Sequence, residues 1–334
     1  MIDADETTTP VRTGQTPELS VVVPVFNEAG NLETLVGRLV PTLESCASSF
    51  QIVFVDDGSS DETLNRLTAL HARDPRIEAV SFSRNFGKEI AIAAGLDHAR
   101  GRACVIMDAD LQHPPEVVAQ FVQRWREGYK NVYGQRRTRE TDAALRRILS
   151  HRFYRLFDRF GETALPQGAG DFRLLDRQAV DALQSMRERA RFTKGLYAWI
   201  GFSTIGVPFD VEERASGTSK FSYRKLTRFA LDGIMSFSTM PLKVWTFIGV
   251  TISVIALFAA LLFLVQTMIN GVDVPGYASL IVSVMFFAGV QLLSLGVLGE
   301  YIGRIFAEVK KRPLYIVAET IGAPSDDGEA APKQ

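Results

Sequence analysis

Cysteine is scarce. Two residues, Cys46 and Cys104, in a chain of 334 leave no disulfide framework. Cys104 sits in the apolar run from Ala103 to Met107 and reads as a small buried hydrophobe. An excess of either charge is also lacking. The 37 basic side chains nearly cancel the 38 acidic ones, for a net charge of −1. No global field therefore selects a nucleic acid, and none is expected as a partner. The glycine fingerprints of nucleotide binding are missing too. No G-x-G-x-x-G follows the first strand-like run, and no G-x-x-x-x-G-K-[ST] occurs; "NFGKE" has the Gly-Lys pair without the spacing. This disfavours a dinucleotide-dependent oxidoreductase and a P-loop NTPase. The N-terminal "MIDADETTTPVRTGQTPE" is polar and acidic and does not read as a signal peptide, so the large domain after it is expected in the cytosol. The final "APSDDGEAAPKQ" reads as a disordered tail.

Two stretches lack charge altogether, Val244 to Val272 and Val274 to Gly299. About 20 apolar residues cross a hydrocarbon core, so both are long enough to span a membrane. Only Asp273 separates them. Lys220, Arg224, Lys225, Arg228 and Lys243 precede the first, and Arg304, Lys310, Lys311 and Arg312 follow the second. The positive-inside rule puts both flanks, both termini and the large domain in the cytoplasm. Just upstream, Leu226, Phe229, Ala230, Ile234 and Phe237 share one helical face while Lys225, Arg228, Asp232 and Ser236 fall elsewhere. That pattern fits a helix lying in the membrane interface, or one packed on the domain.

The rest alternates strand-like and helical runs. Strands are expected at 19–26, 51–57, 77–83 and 103–110, with helical patterns between them. Repetition at this spacing predicts an α/β domain with a mostly parallel, Rossmann-like sheet covered on both faces. Ligands in such sheets bind beyond the carboxyl ends of the strands. Three of those ends carry polar clusters. "VPVFNE" places Phe26 and Glu28 for base and ribose contact. "DDGSSDET" holds Asp57, a candidate acceptor for a base N–H or ribose hydroxyl, and a Ser59–Glu62 capping box. "DADLQHPPE" carries Asp108 and Asp110 two residues apart. Carboxylates that close repel unless a cation joins them, and oxygen ligands of this kind suit Mg²⁺ or Mn²⁺. Gln112 could add a carbonyl oxygen, and His113 is a further candidate ligand. Finally, "RASGTSKFSYRKL" from Arg214 to Leu226 combines Arg214, Ser216, Gly217, Ser219 and Lys220 just before the apolar segments. It reads as a loop built to hold an anion.

Taken in order, "VVVPVFNE", "VFVDDGSSDET", "SRNFGKE", "DADLQHPPE", "GDFRLLDR" and "ERASGTSKFSYRKL" resemble the polyprenyl-phosphate glycosyltransferases of glycosyltransferase family 2, over roughly residues 19–312. That group includes dolichol-phosphate mannose synthases and bacterial undecaprenyl-phosphate glucosyltransferases. The resemblance implies a GT-A catalytic domain at 19–219, between a disordered 1–18 and an interfacial helix at 220–242. Two transmembrane helices (about 244–269 and 276–299) and a cytoplasmic tail at 300–334 would follow. It carries Pro24, Phe26, Glu28, Val55 and Asp57 onto nucleoside binding. Asp108, Asp110 and Gln112 become metal and diphosphate ligands, and Arg136 a basic group near the donor diphosphate. Asp171 becomes a base or acceptor-orienting group; Arg173 is expected, from its place in "GDFRLL", as an ion-pair partner within the site. Arg214, Ser216, Ser219 and Lys220 become an acceptor-phosphate clamp.

The implied reaction moves a sugar, glucose by default, from a UDP-sugar to undecaprenyl phosphate at the bacterial inner membrane. The enzyme would be inverting, and a homotetramer. Galactose, an amino sugar and aminoarabinose stay open as the sugar. Two other readings stay beside this one. A processive polysaccharide synthase would want a Q-x-x-R-W motif, which "QFVQRW" at 120–125 does not match, and more spans. A non-catalytic membrane scaffold is opposed by the intact acidic and basic clusters.

Overall fold

The computed structural model describes residues 16–136, 169–189, 191–210 and 276–322, with scattered positions between 245 and 269. The chain begins with β1 (Leu19–Val25), α1 (Leu32–Cys46), β2 (Phe50–Asp56), α2 (Thr63–Arg73), β3 (Ile77–Phe82), α3 (Lys88–His98) and β4 (Ala103–Ile106). It continues through α4 (Val117–Arg126), β5 (Asn131–Arg136), β6 (Ala169–Asp176), α5 (Arg177–Ser185), α6 (Thr193–Trp199) and β7 (Thr204–Phe209). A long helix α7 (Tyr277–Val309) and a last strand β8 (Val317–Ile321) complete it.

Eight strands form one sheet in the order β7-β5-β6-β4-β1-β2-β3-β8. Its centre, β4-β1-β2-β3, is parallel as expected. Those strands are continuous apolar runs because helices cover both faces. Val21, Val22, Val23, Ile52, Val53 and Phe54 are fully buried. α1 places Leu32, Leu35, Leu39 and Leu43 on one buried stripe at helical spacing. α3 lies unusually close to the sheet. A Cβ built on Gly95 would stand 2.1 Å from Val22 Cγ1 and 3.1 Å from Val55 Cγ2, so only glycine permits that approach.

Two strands run against the parallel sense, β6 and the edge strand β8, while β7 is parallel to β5. β6 runs antiparallel to both β4 and β5. Ile106 of β4 faces Arg173 of β6, so the start of β6 lies at the same rim as the end of β4. Direction was not readable from the apolar pattern, which is identical for both senses. The Ser59–Glu62 capping box does not form. The Ser59 hydroxyl accepts instead from the Asn27 backbone N–H at 2.9 Å, and Asp61 accepts from Thr63 N–H at 3.0 Å. The long-range turn-to-turn bond takes the hydroxyl that a local cap would have used.

The apolar C-terminal region is described in part. α7 is 33 residues long, roughly 50 Å at helical rise. Its Phe286–Val309 portion is long and apolar enough to cross a membrane, with a mean hydropathy of 1.4, and it is the one such helix among the described residues. It overlaps the second span expected at 276–299 but extends ten residues further. Described positions between 245 and 269 are helical. The interfacial helix at 220–242 and much of the first span lie outside the described residues.

Residues expected as a tail return to the α/β domain. After Lys311, whose φ is 45°, the chain runs back and β8 pairs antiparallel with β3. The Tyr315 ring stacks on Phe82 with centroids 5.1 Å apart, and its hydroxyl donates to Asp97 Oδ2 at 3.0 Å. Glu308 near the end of α7 accepts from the Arg189 backbone N–H at 2.8 Å. The foot of the apolar helix is thus tied to the sheet edge beside α3. Glu18, expected in a disordered segment, is likewise engaged by the Ser48 N–H and by Arg126.

The tight seat of α3 can be tested. Gly95→Ala gains helix propensity of about 1 kcal/mol, yet forces a methyl into two buried valines, an overpacking that typically costs about 1–3 kcal/mol. A lowered thermal-unfolding midpoint is expected; a raised one would show that α3 backs away from the sheet without cost.

Candidate active site

Four segments converge on a cleft of about 350 Å³ at the carboxyl ends of the central strands. Pro24, Phe26 and Glu28 come from the end of β1, Asp57 from β2, Asn85, Gly87 and Lys88 from the entry to α3, and Asp108 and Asp110 from beyond β4. Six of the residues expected at the donor site are therefore together.

Phe26 is 46% exposed at the strand tip, an apolar ring open to the cleft. The turn behind it is braced. Asn27 takes a positive φ of 55° and its Oδ1 accepts from the Ser60 N–H at 2.9 Å. The Glu28 carboxylate accepts from Asn31 Nδ2 at 2.6 Å. Asp57 is buried and already engaged. It accepts the backbone N–H of Phe86 at 2.6 Å and that of Gly87 at 2.9 Å. Burial pushes its carboxyl above the ordinary range, against those two N–H groups. Its visible task is to pin the turn that starts α3, where Gly87 has a φ of 101°. Val55 is fully buried among Val53, Ala91 and Ala94 and does not line the cleft. Its side chain supports α3 instead. Arg136 ends β5 and is exposed, and it is not among the cleft-lining residues.

The Asp-x-Asp segment is sharply turned. Leu111 takes a φ of 61°, and Asp110 Oδ1 accepts from the Gln112 backbone N–H at 3.1 Å. Gln112 meets the site through that N–H and does not line the cleft. His113 stacks on Phe172 at 4.7 Å and packs edge-on to Phe209, with Nδ1 facing the Asp108 N–H at 3.4 Å. Burial lowers its pKa, with Asp108 opposing, so it acts as a neutral wedge beneath the loop. Asp108 and Asp110 suit a hard divalent cation, which commonly takes one or two protein carboxylates and completes its shell with water and substrate phosphate. Among the described residues no group of three or more His, Cys, Asp and Glu could hold a metal by itself.

The antiparallel β6 brings Asp171 to this rim. Lys88 Nζ lies 2.6 Å from Asp108 Oδ1 and 3.1 Å from Asp171 Oδ2. Burial disfavours the Lys88 charge, but the two carboxylates outweigh it and raise its pKa. Burial likewise works against the Asp171 charge, and Lys88 and Lys194 overcome it, so Asp171 stays ionised below the ordinary carboxylate range. Asp171 Oδ1 is buried without a hydrogen-bond partner. Beside them the Glu89 carboxyl is pushed up to about 7 by burial, with the Asp171 charge adding to it, while it accepts the Thr193 N–H at 2.9 Å.

Arg173, expected as an ion-pair partner within the site, meets uncharged groups instead. Its guanidinium lies 3.5 Å above the Tyr197 ring centroid and donates to the Gly170 carbonyl and to Asn131 Oδ1. Strand alternation puts residues 171 and 173 on one face, but the rim ends between them and Arg173 is buried. Lys88 is the functional candidate that residue spacing missed. Its signal was "NFGKE", a Gly-Lys pair that matches no phosphate-loop spacing. Arg214, Ser216, Ser219 and Lys220 lie outside the described residues.

Comparison with known proteins adds the lineage. Residues 20–184 match the family model described as Glycosyl transferase family 2. An uncharacterised glycosyltransferase of Synechocystis sp. is 48% identical over 307 residues, covering 92% of this chain and 96% of that protein. The SfII prophage-derived bactoprenol glucosyl transferase of Shigella flexneri is 42% identical over 303 residues, covering 91% and 98%. A prophage bactoprenol glucosyl transferase homolog of Escherichia coli K12 is 42% identical over 300 residues, covering 90% and 98%. With this similarity along nearly its whole length, and with an acidic cleft at the carboxyl ends of a mostly parallel α/β sheet, the chain belongs to glycosyltransferase family 2 and is a glycosyltransferase.

Proposed function

We propose that this enzyme transfers glucose from UDP-glucose to a polyprenyl phosphate, with inversion at the anomeric carbon, at the cytoplasmic face of a bacterial inner membrane. The observation that carries the reading is the meeting of Asp108 and Asp171, from the neighbouring strands β4 and β6 at one rim of the sheet, on one lysine. An exposed aromatic at the nucleoside end and the apolar helix α7 support it. So do the relatives named bactoprenol glucosyl transferase.

In this reading Phe26 stacks on the base and Glu28 takes the ribose, with Asp57 holding the turn that starts α3 beside them. Asp108 and Asp110 would hold Mg²⁺ or Mn²⁺, which would offset charge growing on the UDP leaving group. Arg136 would add positive charge near the diphosphate. A phosphate monoester has a second pKa of about 6 and is largely ionised at neutral pH, so the acceptor needs positioning more than deprotonation. Asp171 then orients: its buried, unpartnered Oδ1 leaves one oxygen free for a substrate hydroxyl. Arg214, Ser216, Ser219 and Lys220 would clamp the lipid phosphate at headgroup height. Both termini in the cytoplasm, two spans and a homotetramer complete the proposal.

Incubating the purified enzyme with undecaprenyl phosphate and a panel of UDP-sugars tests it directly. A glucosylated lipid is expected; a different sugar on the lipid would revise the donor, and free sugar without lipid product would refute the acceptor. Asp110→Asn should abolish metal-dependent turnover in a protein that still folds, and full activity would remove the metal assignment. Lys220→Ala should raise KM for the lipid far more than for the nucleotide, by roughly 30-fold or more, since an unpaired partner in a desolvated charge pair costs about 2–5 kcal/mol. An equal loss for both substrates would contradict the clamp.

A further inference from the structure

Lys88 is placed where neither a purely structural lysine nor a fixed metal site explains it. Its backbone is anchored: Asp57 holds the N–H groups of Phe86 and Gly87, and Gly95 seats α3 hard against β1 and β2. Its tip is held by side chains alone. The side chain is 46% exposed, against 26% for Asp108 and 16% for Asp171, and it lines the cleft, so it is the most open of the three. It also occupies the metal carboxylate. Lys88 Nζ lies 2.6 Å from Asp108 Oδ1, and a divalent cation on the same carboxylate would confront that ammonium at short range. Like charges that close are unfavourable unless an anion intervenes.

We propose that Lys88 is a displaceable counter-ion: it neutralises Asp108 in the empty enzyme, yields that carboxylate when the divalent cation binds, and then places its ammonium, still paired to Asp171, on a phosphate oxygen at the point of sugar transfer. The inference rests on Asp108 being the metal carboxylate. It adds a residue to the phosphate-binding set and couples metal entry to substrate binding without any backbone movement. The exchange is purely electrostatic. Asp108 trades one cationic partner for another, and the freed ammonium trades a carboxylate oxygen for a phosphate oxygen, so the site never holds an uncompensated charge. The phosphate is the donor diphosphate or the acceptor monoester, which share this chemistry.

The experiment uses the full-length protein in detergent and reads binding before catalysis. Mn²⁺ alone is titrated into nucleotide-free enzyme and the free ion is followed by electron paramagnetic resonance. Lys88→Met should bind Mn²⁺ roughly tenfold more tightly than the unaltered protein, the equivalent of about 1.4 kcal/mol, and Asp108→Asn should lose that binding. In steady state Lys88→Met should raise KM at least tenfold for one phosphate substrate. A rise for undecaprenyl phosphate assigns the ammonium to the acceptor, and a rise for UDP-glucose assigns it to the donor. Lys88→Arg should restore much of that KM. Lys88→Gln provides the same tests should methionine unsettle the fold, as judged by the unfolding midpoint. Unchanged or weaker Mn²⁺ binding in the Lys88 variants, with Asp108→Asn still defective, would overturn the counter-ion role alone. Mn²⁺ binding indifferent to Asp108→Asn would overturn the metal reading beneath it. Unchanged KM for both substrates would overturn the phosphate contact.

Discussion

The cleft depends on one electrostatic arrangement, in which the Lys88 ammonium lies between the Asp108 and Asp171 carboxylates. Two carboxylates facing each other across a partly dry rim repel, and one would take up a proton unless a cation stood between them. Much of the surrounding fold can be understood as what holds that lysine in place. β6 must run antiparallel to β4 to deliver Asp171 to the rim. α3 must begin at the rim, which its tight seat on the sheet and the Asp57 hydrogen bonds secure.

Charge is balanced outward from this triad in layers. Lys194 adds to the field that keeps Asp171 ionised. Glu89, the next residue on α3, has its carboxyl pushed up to about 7 by burial and by Asp171, so its negative charge at neutral pH is only partial. His113 is kept neutral by its burial among Phe172 and Phe209. The result is a site whose fixed charges suit phosphate-bearing substrates and a hard cation.

The return of β8 to the sheet gives the site a second anchor. The apolar helix α7 ends beside the catalytic domain, and Tyr315 closes onto Phe82 and Asp97. Asp97 sits near the C-terminus of α3, the same helix whose first residue is Lys88. The element suited to cross a membrane and the helix carrying the central cation are therefore connected within a few side chains. An enzyme working on a lipid headgroup needs its chemistry held at a set distance from the lipid surface, and this connection is a short path for that constraint.

Much was legible from the amino-acid order because its causes are local. Buried parallel strands read as unbroken apolar runs, strand ends announced themselves as Phe26–Glu28, Asp56–Asp57 and Asp108–Asp110, and the uncharged stretches are long enough to notice without a structure. Motif order along the chain was enough to indicate the family. What tertiary structure decided depends on pairing between distant segments. The direction of β6, the burial of Val55 and Arg173, the loss of the Ser59 cap to Asn27, the capture of Val317–Ile321 by β3, and the place of Lys88 between two aspartates all fall in this class. Each is set by which strand lies beside which. The hydrophobic pattern that makes a strand is the same whichever neighbour it has and whichever way it runs.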